Sequence, residues 1–534
     1  MTPAQPQGPP APKSDKRRGI VIVAVLIVVA SLALMGYHYS DMMTSEYKAS
    51  HNSHRAVQAQ RAAESGVHYA AALLSNPQNY AGLLNGNPWN NPTAFRDIAV
   101  PGDTKANGRF SLIAAPDVDG NDPSEVIFGV TDESGKVNLN ALMKFDPTGQ
   151  VLYGALIQLP NMTEDIANSI VAWMGGSYGS QNNGALSDYY LGLPSPYRAK
   201  GGPLDSIDEL LLVKGVTRGL LYGTDLNRNG MRDGAEGGAD GFSRGWSACL
   251  TVYSREPNHD ANGNPYIYLK NADLSQLYND LLQQEVDEDL AKFIILHRQY
   301  SQANSSGTGT QSLGSTIVAA LLGGGKPSTN TKTVQGDLST YEVKFTRSGS
   351  KPFISIFDLI ESKIIIPKKV GNTTVNTVYT SPLADPAKQR ELLPKLFAIA
   401  TMSADPEMPA RININTAPMA VLSCIPGLTP EDVQKIVATR PNPFSTDPPG
   451  EAYSSPAWLL TEAQLNVKVL SALENFITAR TSVYRVQSVG YGDGKGPSVR
   501  VEAVIDTNAG RPRIIVWRDL SELGKGLPTM AANP

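Results

Sequence analysis

One stretch of twelve residues carries the most specific chemistry in the chain. In Asp225-Leu226-Asn227-Arg228-Asn229-Gly230-Met231-Arg232-Asp233-Gly234-Ala235-Glu236, side-chain oxygens fall at loop positions 1, 3, 5, 9 and 12, and Gly230 stands at position 6. A hard divalent cation needs such a set, with oxygens to replace its water and a glycine where the chain turns sharply. The expectation is a structural Ca²⁺ held by Asp225, Asn227, Asn229, the Met231 carbonyl, Asp233 and Glu236. Two neutral amides in the set predict weak affinity, suited to a compartment rich in Ca²⁺. The competing reading is an Asn/Gly turn cluster, which a chain with 48 Gly produces often.

No other group of residues has catalytic spacing. Two Gly-x-Ser-x-Gly strings, Gly175–Gly179 and Gly241–Gly245, lack the strand-then-helix context of a nucleophile elbow. The six histidines form neither a ligand set nor a triad, and Cys249 and Cys424 sit in apolar surroundings as core thiols. The chain is expected not to be an enzyme. Lys plus Arg number 46 against 50 Asp plus Glu, a formal net charge of -4, which argues against a general polyanion binder. Two cysteines exclude a disulfide framework and a four-cysteine zinc site.

The N-terminus must place these groups relative to a membrane. A Pro-rich stretch ends in Lys16-Arg17-Arg18-Gly19, and a charge-free apolar run continues from Ile20 to Met35. From Ile20 to Tyr37 a helix spans about 27 Å, enough for a hydrocarbon core. The basic cluster predicts a cytoplasmic N-terminus and an exported bulk. Three readings compete: a signal anchor, a secretory signal cut after Ser31-Leu32-Ala33, and a prepilin-type leader cut between Gly19 and Ile20. The third accounts best for the residues beyond the apolar run. Tyr39–Leu74 contains no proline and stays helix-compatible until Asn76-Pro77. A removed signal has no reason to run into such a helix.

Short strand-like runs lie at Arg109–Ala114 and Glu125–Val130, and again at Tyr484–Val489, Val499–Asp506 and Arg513–Trp517. Alternation in Val499–Asp506 predicts a half-buried strand with its charges in water. More than 300 residues separate the two groups of strands, so one sheet with a large insertion is the simplest topology. The insertion holds an internal repeat: Lys136-Val-Asn-Leu-Asn140 recurs as Arg411-Ile-Asn-Ile-Asn415. Leu159-Pro-Asn-Met-Thr163 recurs as Ile425-Pro-Gly-Leu-Thr429, and each copy then reaches an Ile-Val-Ala triplet. Helix starts with capping boxes are expected at Ser206–Glu209 and Thr461–Gln464, and a third start at Ser355–Asp358. Ile425–Arg440 has the pattern of a helix-hairpin-helix, but Thr429 replaces the second glycine of DNA-binding hairpins and Asp432 would repel a phosphate. It reads as a packing unit, and no nucleic-acid partner is expected.

The expected fold is α+β: a long N-terminal helix plus antiparallel sheet, with a large, mostly helical domain of two helix-hairpin-helix units inserted into the sheet; the family resemblance given below implies that the helix and sheet are pilin-like and the units SAM-like. The divisions are a leader over 1–19, a helix over 20–75 with its anchor at 20–37, and the first part of the sheet over 76–135. Then come a first helical unit with the calcium loop over 136–300, a flexible Ser/Gly/Thr-rich insertion over 301–336, and a connecting segment over 337–410. A second unit over 411–480, closing strands over 481–520 and a disordered tail over 521–534 complete the chain.

In this order the motifs resemble the minor pseudopilin K family of type II secretion systems. The resemblance rests on the Arg18-Gly19 junction, the pair VNLN (137–140) and ININ (412–415), DYYLGLPSPYR (188–198), the segment Leu204–Gly223 and the terminal strands. It implies cleavage before Ile20 by prepilin peptidase and a single-pass inner-membrane protein with a periplasmic bulk. It implies calcium in the inserted domain, and a non-enzymatic subunit that caps the pseudopilus tip and helps start its assembly for protein export. Its implied partners are the minor pseudopilins of types I and J and other pseudopilus subunits. Major pilins carry Glu at the fifth mature position; here it is Ala24, which suits a tip subunit with nothing ahead of it. The alternative is a membrane-anchored periplasmic nucleic-acid receptor using its hairpin units.

Overall fold

The computed structural model describes residues 8, 17–101, 108–115, 125–179, 188–232, 236, 243–260, 263–300, 331–349, 354–371, 373–442, 445, 449–492, 496–508 and 511–527. The architecture is α+β. It opens with one helix, α1 (Arg17–Ser75), of 59 residues and about 90 Å. Its apolar first part is bare on every side, with Ile20 71%, Leu32 62% and Met35 67% exposed. Its last part is a packed helix. Ala59, Ala62, Ala63, Val67, Ala70, Ala71 and Leu74 recur every three to four residues and are buried. Asn76 then caps the short helix Pro77–Gly82, accepting from the Gln78 and Asn79 amides.

The buried stripe of α1 lies on an antiparallel sheet. Its strands are β1 (Ile98–Ala99), β2 (Arg109–Ile113), β3 (Thr131–Asp132), β4 (Val483–Tyr491), β5 (Ser498–Asp506) and β6 (Arg513–Asp519), in the order β1-β2-β4-β5-β6. Strand β3 continues beside β4, with Asp132 opposite Tyr484 and Thr131 opposite Arg485. Small residues let helix and sheet approach closely. A side chain on Gly490 would run into the backbone of Ala59 and Ala63, and one on Gly66 into Ser488 and Phe110. Phe110, Leu112, Val486, Val501, Ala503 and Ile505 fill the core between them.

All the chain between β3 and β4 is therefore an insertion into one sheet, leaving and returning at neighbouring positions. The insertion also covers the other face of the sheet, which corrects the expected half-buried strand: Arg500 and Asp506 are 0% and Glu502 7% exposed. Inside the insertion the repeat is built twice. Val137–Asn138 pairs in parallel with Leu250–Thr251, and Ile412–Asn413 with Ile477–Thr478. The asparagines explain the repetition. Asn140 donates to and accepts from Leu204, while Asn415 donates to the Tyr453 carbonyl and accepts from the Trp458 indole. Both copies share one apolar core with Trp173, Trp246, Trp458 and Phe293.

Several expected boundaries shift. The stretch over 337–410 is more than a connector. Lys363–Val370 and Thr373–Thr380 form a hairpin, and Thr331–Gln335, inside the expected flexible insertion, joins it in parallel. Residues 301–330 lie outside the described residues. Thr461 ends a helix rather than starting one, and the Ser206 side chain caps nothing. Capping boxes form instead at Ser355/Asp358 and Thr429/Asp432. In the expected tail, Ser521–Leu523 makes a turn and Leu527 packs on the sheet core; residues 528–534 lie outside the described residues.

Candidate functional site

The loop at Asp225 is tightly wound. Its carboxylate accepts from the Asn229 amide at 3.2 Å and the Gly230 amide at 2.9 Å. Asn227 Oδ1 accepts from the Asn229 amide and Asn229 Oδ1 from the Met231 amide. Glu236 closes the ring by accepting from the Leu226 amide at 2.8 Å. Gly230 (φ +76) is the turn, and a side chain there would strike Ala115. Burial, with Glu236 adding its field, pushes Asp225 up to about 6. Five of the six predicted ligands, Asp225, Asn227, Asn229, Met231 and Glu236, thus lie on one curled segment, and the sixth, Asp233, lies outside the described residues. Two carboxylates and two amide oxygens are of the donor type a Ca²⁺ ion takes, and here each accepts from backbone amides of the same turn. Among the described residues no group of three His, Cys, Asp or Glu side chains is arranged to hold a metal.

The loop also touches what its spacing could not foretell. Arg500 of β5 donates to the Asn227 carbonyl, Gln487 of β4 to the Arg228 carbonyl at 2.8 Å, and Asn229 to the Gly526 carbonyl at 3.2 Å. Met231 sits in the sheet core. The loop fastens the inserted chain to the sheet.

A second joint lies where the insertion leaves and returns. Glu133, 0% exposed, accepts from Arg485 Nε at 2.7 Å, from Lys136 Nζ at 3.1 Å and from the Thr251 hydroxyl. Arg485 also donates to Glu502 at 2.8 Å. Burial alone would raise the Glu133 pKa, but the charges of Arg485 and Lys136 hold it well below the carboxylate range. Beside it, Asp132 accepts from Thr416, Thr481, Asn413 and the Ser134 amide, all neutral donors, so burial wins and pushes it up to about 6. Arg411, the counterpart of Lys136 in the second repeat, grips Glu256 with two bonds of 2.7 and 2.5 Å. Sequence reasoning missed these groups. Strand alternation places Arg500, Glu502 and Asp506 in water, and nothing local reports the chain that covers them.

The remaining predicted residues lie apart from both joints. Ile20 and Ala24 are on the bare part of α1; Gly19 is helical within it. The Ile425–Arg440 segment turns at Gly427 (φ +93) into a helix, α2 (Pro430–Thr439), capped by Thr429, whose hydroxyl accepts from the Asp432 amide while the Asp432 carboxylate receives the Thr429 amide and hydroxyl. That carboxylate stands where a phosphate would have to bind. Gly175–Gly179 comes after a helix and itself ends in a turn, and Gly241 lies outside the described residues. Cys249 and Cys424 are buried, and burial raises the Cys424 thiol.

Likeness to a known family falls on both copies of the repeat. Two family models, each described as type II secretion system (T2SS), protein K, match the chain, one over residues 135–222 and the other over residues 412–457. No curated protein is similar by sequence. Among solved structures, the chain is similar to the GspK-GspI-GspJ complex from the type 2 secretion system of enterotoxigenic Escherichia coli. The sequence identity is 12%, the coverage 89% of this chain and 99% of that chain, and the TM-score 0.35.

Proposed function

We propose that this chain, which carries type II secretion system protein K sequence on both copies of its internal repeat, is a minor pseudopilin that caps the tip of a secretion pseudopilus and helps start its assembly for protein export. The observation that carries the reading is the continuity of α1. One helix is bare and apolar at its start and packed on a sheet at its end, and the same sheet holds a large insertion.

The mechanism has three parts. Prepilin peptidase cuts between Gly19 and Ile20 at the cytoplasmic face of the inner membrane, and the rest of α1 stays as a single-pass anchor with the bulk in the periplasm. On assembly the apolar stretch exchanges lipid for the helices of pseudopilus subunits, foremost the minor pseudopilins of types I and J. Transfer between two apolar surroundings costs little, so packing decides the outcome. Ala24 offers no carboxylate to a subunit ahead, and the insertion occupies the space where that subunit would sit. The role is one of structure rather than of catalysis. Asp432, standing at the start of α2, supports this reading over nucleic-acid capture.

A Ca²⁺ ion bound by Asp225, Asn227, Asn229, Met231, Asp233 and Glu236 would supply fixed positive charge to a loop that already bonds to β4, β5 and the Gly526 carbonyl. Its effect is to stiffen the attachment of the insertion to the sheet.

The test is purification of the full chain from membranes, with N-terminal sequencing and identification of the proteins that come with it. The reading expects a mature N-terminus at Ile20 and small pilin-like proteins in the complex. A mature start at Leu34, or a variant lacking residues 136–480 that still caps filaments of normal length, would sink it.

A further inference from the structure

We infer that the outer edge of β6 takes an extended segment of a neighbouring pilin-like subunit, which adds to the sheet as a further strand. The inference rests on the reading of this chain as a pseudopilin and gives that reading a contact beyond the apolar helices.

The ladder fixes which groups face outward. The Leu520 amide donates to the Arg500 carbonyl at 2.8 Å, and the Thr507 amide to the Ser482 carbonyl at 2.9 Å. Hydrogen-bonded pairs alternate along an antiparallel ladder, so the even-numbered residues of β5 up to Val504 bond to β6 and the odd-numbered ones to β4. Opposite Val501 and Ala503 stand Asp519 and Trp517, whose N–H and C=O groups therefore point away from β5. Strand β6 pairs with β5 alone, and among the described residues nothing bonds to these four groups.

The other sheet edges are guarded or short. The hairpin strand Lys363–Val370, also an edge, exposes Lys363, Pro367, Lys368 and Lys369, residue types that keep a strand from pairing with another chain. At the far side of the main sheet β1 has two residues. Strand β6 carries neither proline nor lysine, and on it Trp517 is 43% and Ile515 37% exposed. Ile515 is the extra residue of a bulge, so the open run is Val516–Asp519. Unpaired main chain beside an apolar side chain is what an added strand recognises.

Charge and the anchor narrow the occupant. Arg511 is exposed before the strand, and Asp519 and Glu522 are exposed at its end. A complementary segment carries an acid at one end, an apolar residue against Trp517 and a base at the other end. A second copy of β6 meets that charge order by running antiparallel. The two-fold axis of such a pair would reverse α1, which lies on the sheet, and point the two anchors in opposite directions. A different subunit, anchored in the same direction as this chain, is free of that conflict.

The test is isolation of the full chain from membranes with the small pilin-like proteins that accompany it, for the parent and for Trp517→Lys and Trp517→Pro. Lysine puts a guarding charge on the edge, and proline removes one outward amide while leaving the β5–β6 ladder bonds in place. Trp517→Lys should melt like the parent, and both variants should retain about ten-fold less of the pilin-like protein, the effect of one lost main-chain bond. In the parent complex the Trp517 and Asp519 amides should exchange with heavy water about ten-fold more slowly than in the chain alone, while the Arg518 amide, already in the ladder, is unchanged. Undiminished yield with both variants, or equal exchange of the two amides in the complex and in the chain alone, overturns the inference. So does a particle of two copies of this chain that both substitutions separate. A parent that brings no pilin-like protein sinks the pseudopilin reading and this contact with it; a parent that brings them with its edge unprotected sinks the contact alone.

Discussion

Glu133 and Arg485 meet at 2.7 Å across 352 positions of chain, and the pair closes the neck through which the insertion leaves the sheet and returns. The Glu133 side chain is 0% and the Arg485 side chain 14% exposed, so the pair answers to the rules of buried charge.

Loss of Arg485 leaves Glu133 and Glu502 buried without their shared partner. Arg485→Met is expected to cost about 3–5 kcal/mol in urea unfolding. Adding Glu502→Gln removes one stranded charge while Glu133 keeps Lys136, and should recover part of that loss. A single substitution that costs nothing would show that water reaches the neck.

The acid at Glu474 gives a pH dependence of defined sign. Burial pushes it up to about 7, against an unfolded value near 4.5. The folded protein therefore binds its proton more tightly than the unfolded chain. The resulting stability is fully present below about pH 4.5 and is lost as pH rises through about 7. Asp132, pushed up to about 6, acts in the same direction over a lower window. Melting temperature should rise on going from pH 7.5 to 5.5, and Glu474→Gln should flatten that slope; an equal slope in both proteins would refute the assignment.

Gly490 sets how near α1 lies to the sheet. Gly490→Ala places a methyl group against the backbone of Ala59 and Ala63 and should cost at least about 1–3 kcal/mol. Gly492→Ala, whose methyl would meet only the end of Gln58, should change stability by less than about 0.5 kcal/mol. Urea unfolding of the two variants checks the contrast.

Calcium should raise the melting temperature of the full chain, and a chelator should reverse the change. Asp225→Asn and Glu236→Gln should each abolish the difference between the two conditions. Identical melting in Ca²⁺ and chelator would leave the loop as a turn held by its own hydrogen bonds.

The sequence by itself determined the parts that depend on neighbouring residues. Composition marked Ile20–Met35 as apolar on every side, and Asn76-Pro77 ended the helix. The oxygen spacing from Asp225 to Glu236 marked a loop, and the recurrence of VNLN as ININ exposed a duplication. These signals are local, since a cap, a turn or an apolar face is set within a few residues. Only the tertiary structure decided that Asp132 lies beside Tyr484, that Arg500 is buried rather than solvated, that Thr331–Gln335 is a strand, and that the Asp225 loop is bonded to β4 and β5. Alternation along β5 states which residues share a face. The cover on that face is chain from hundreds of positions away, and the burial of a charge depends on that cover rather than on the residues next to it.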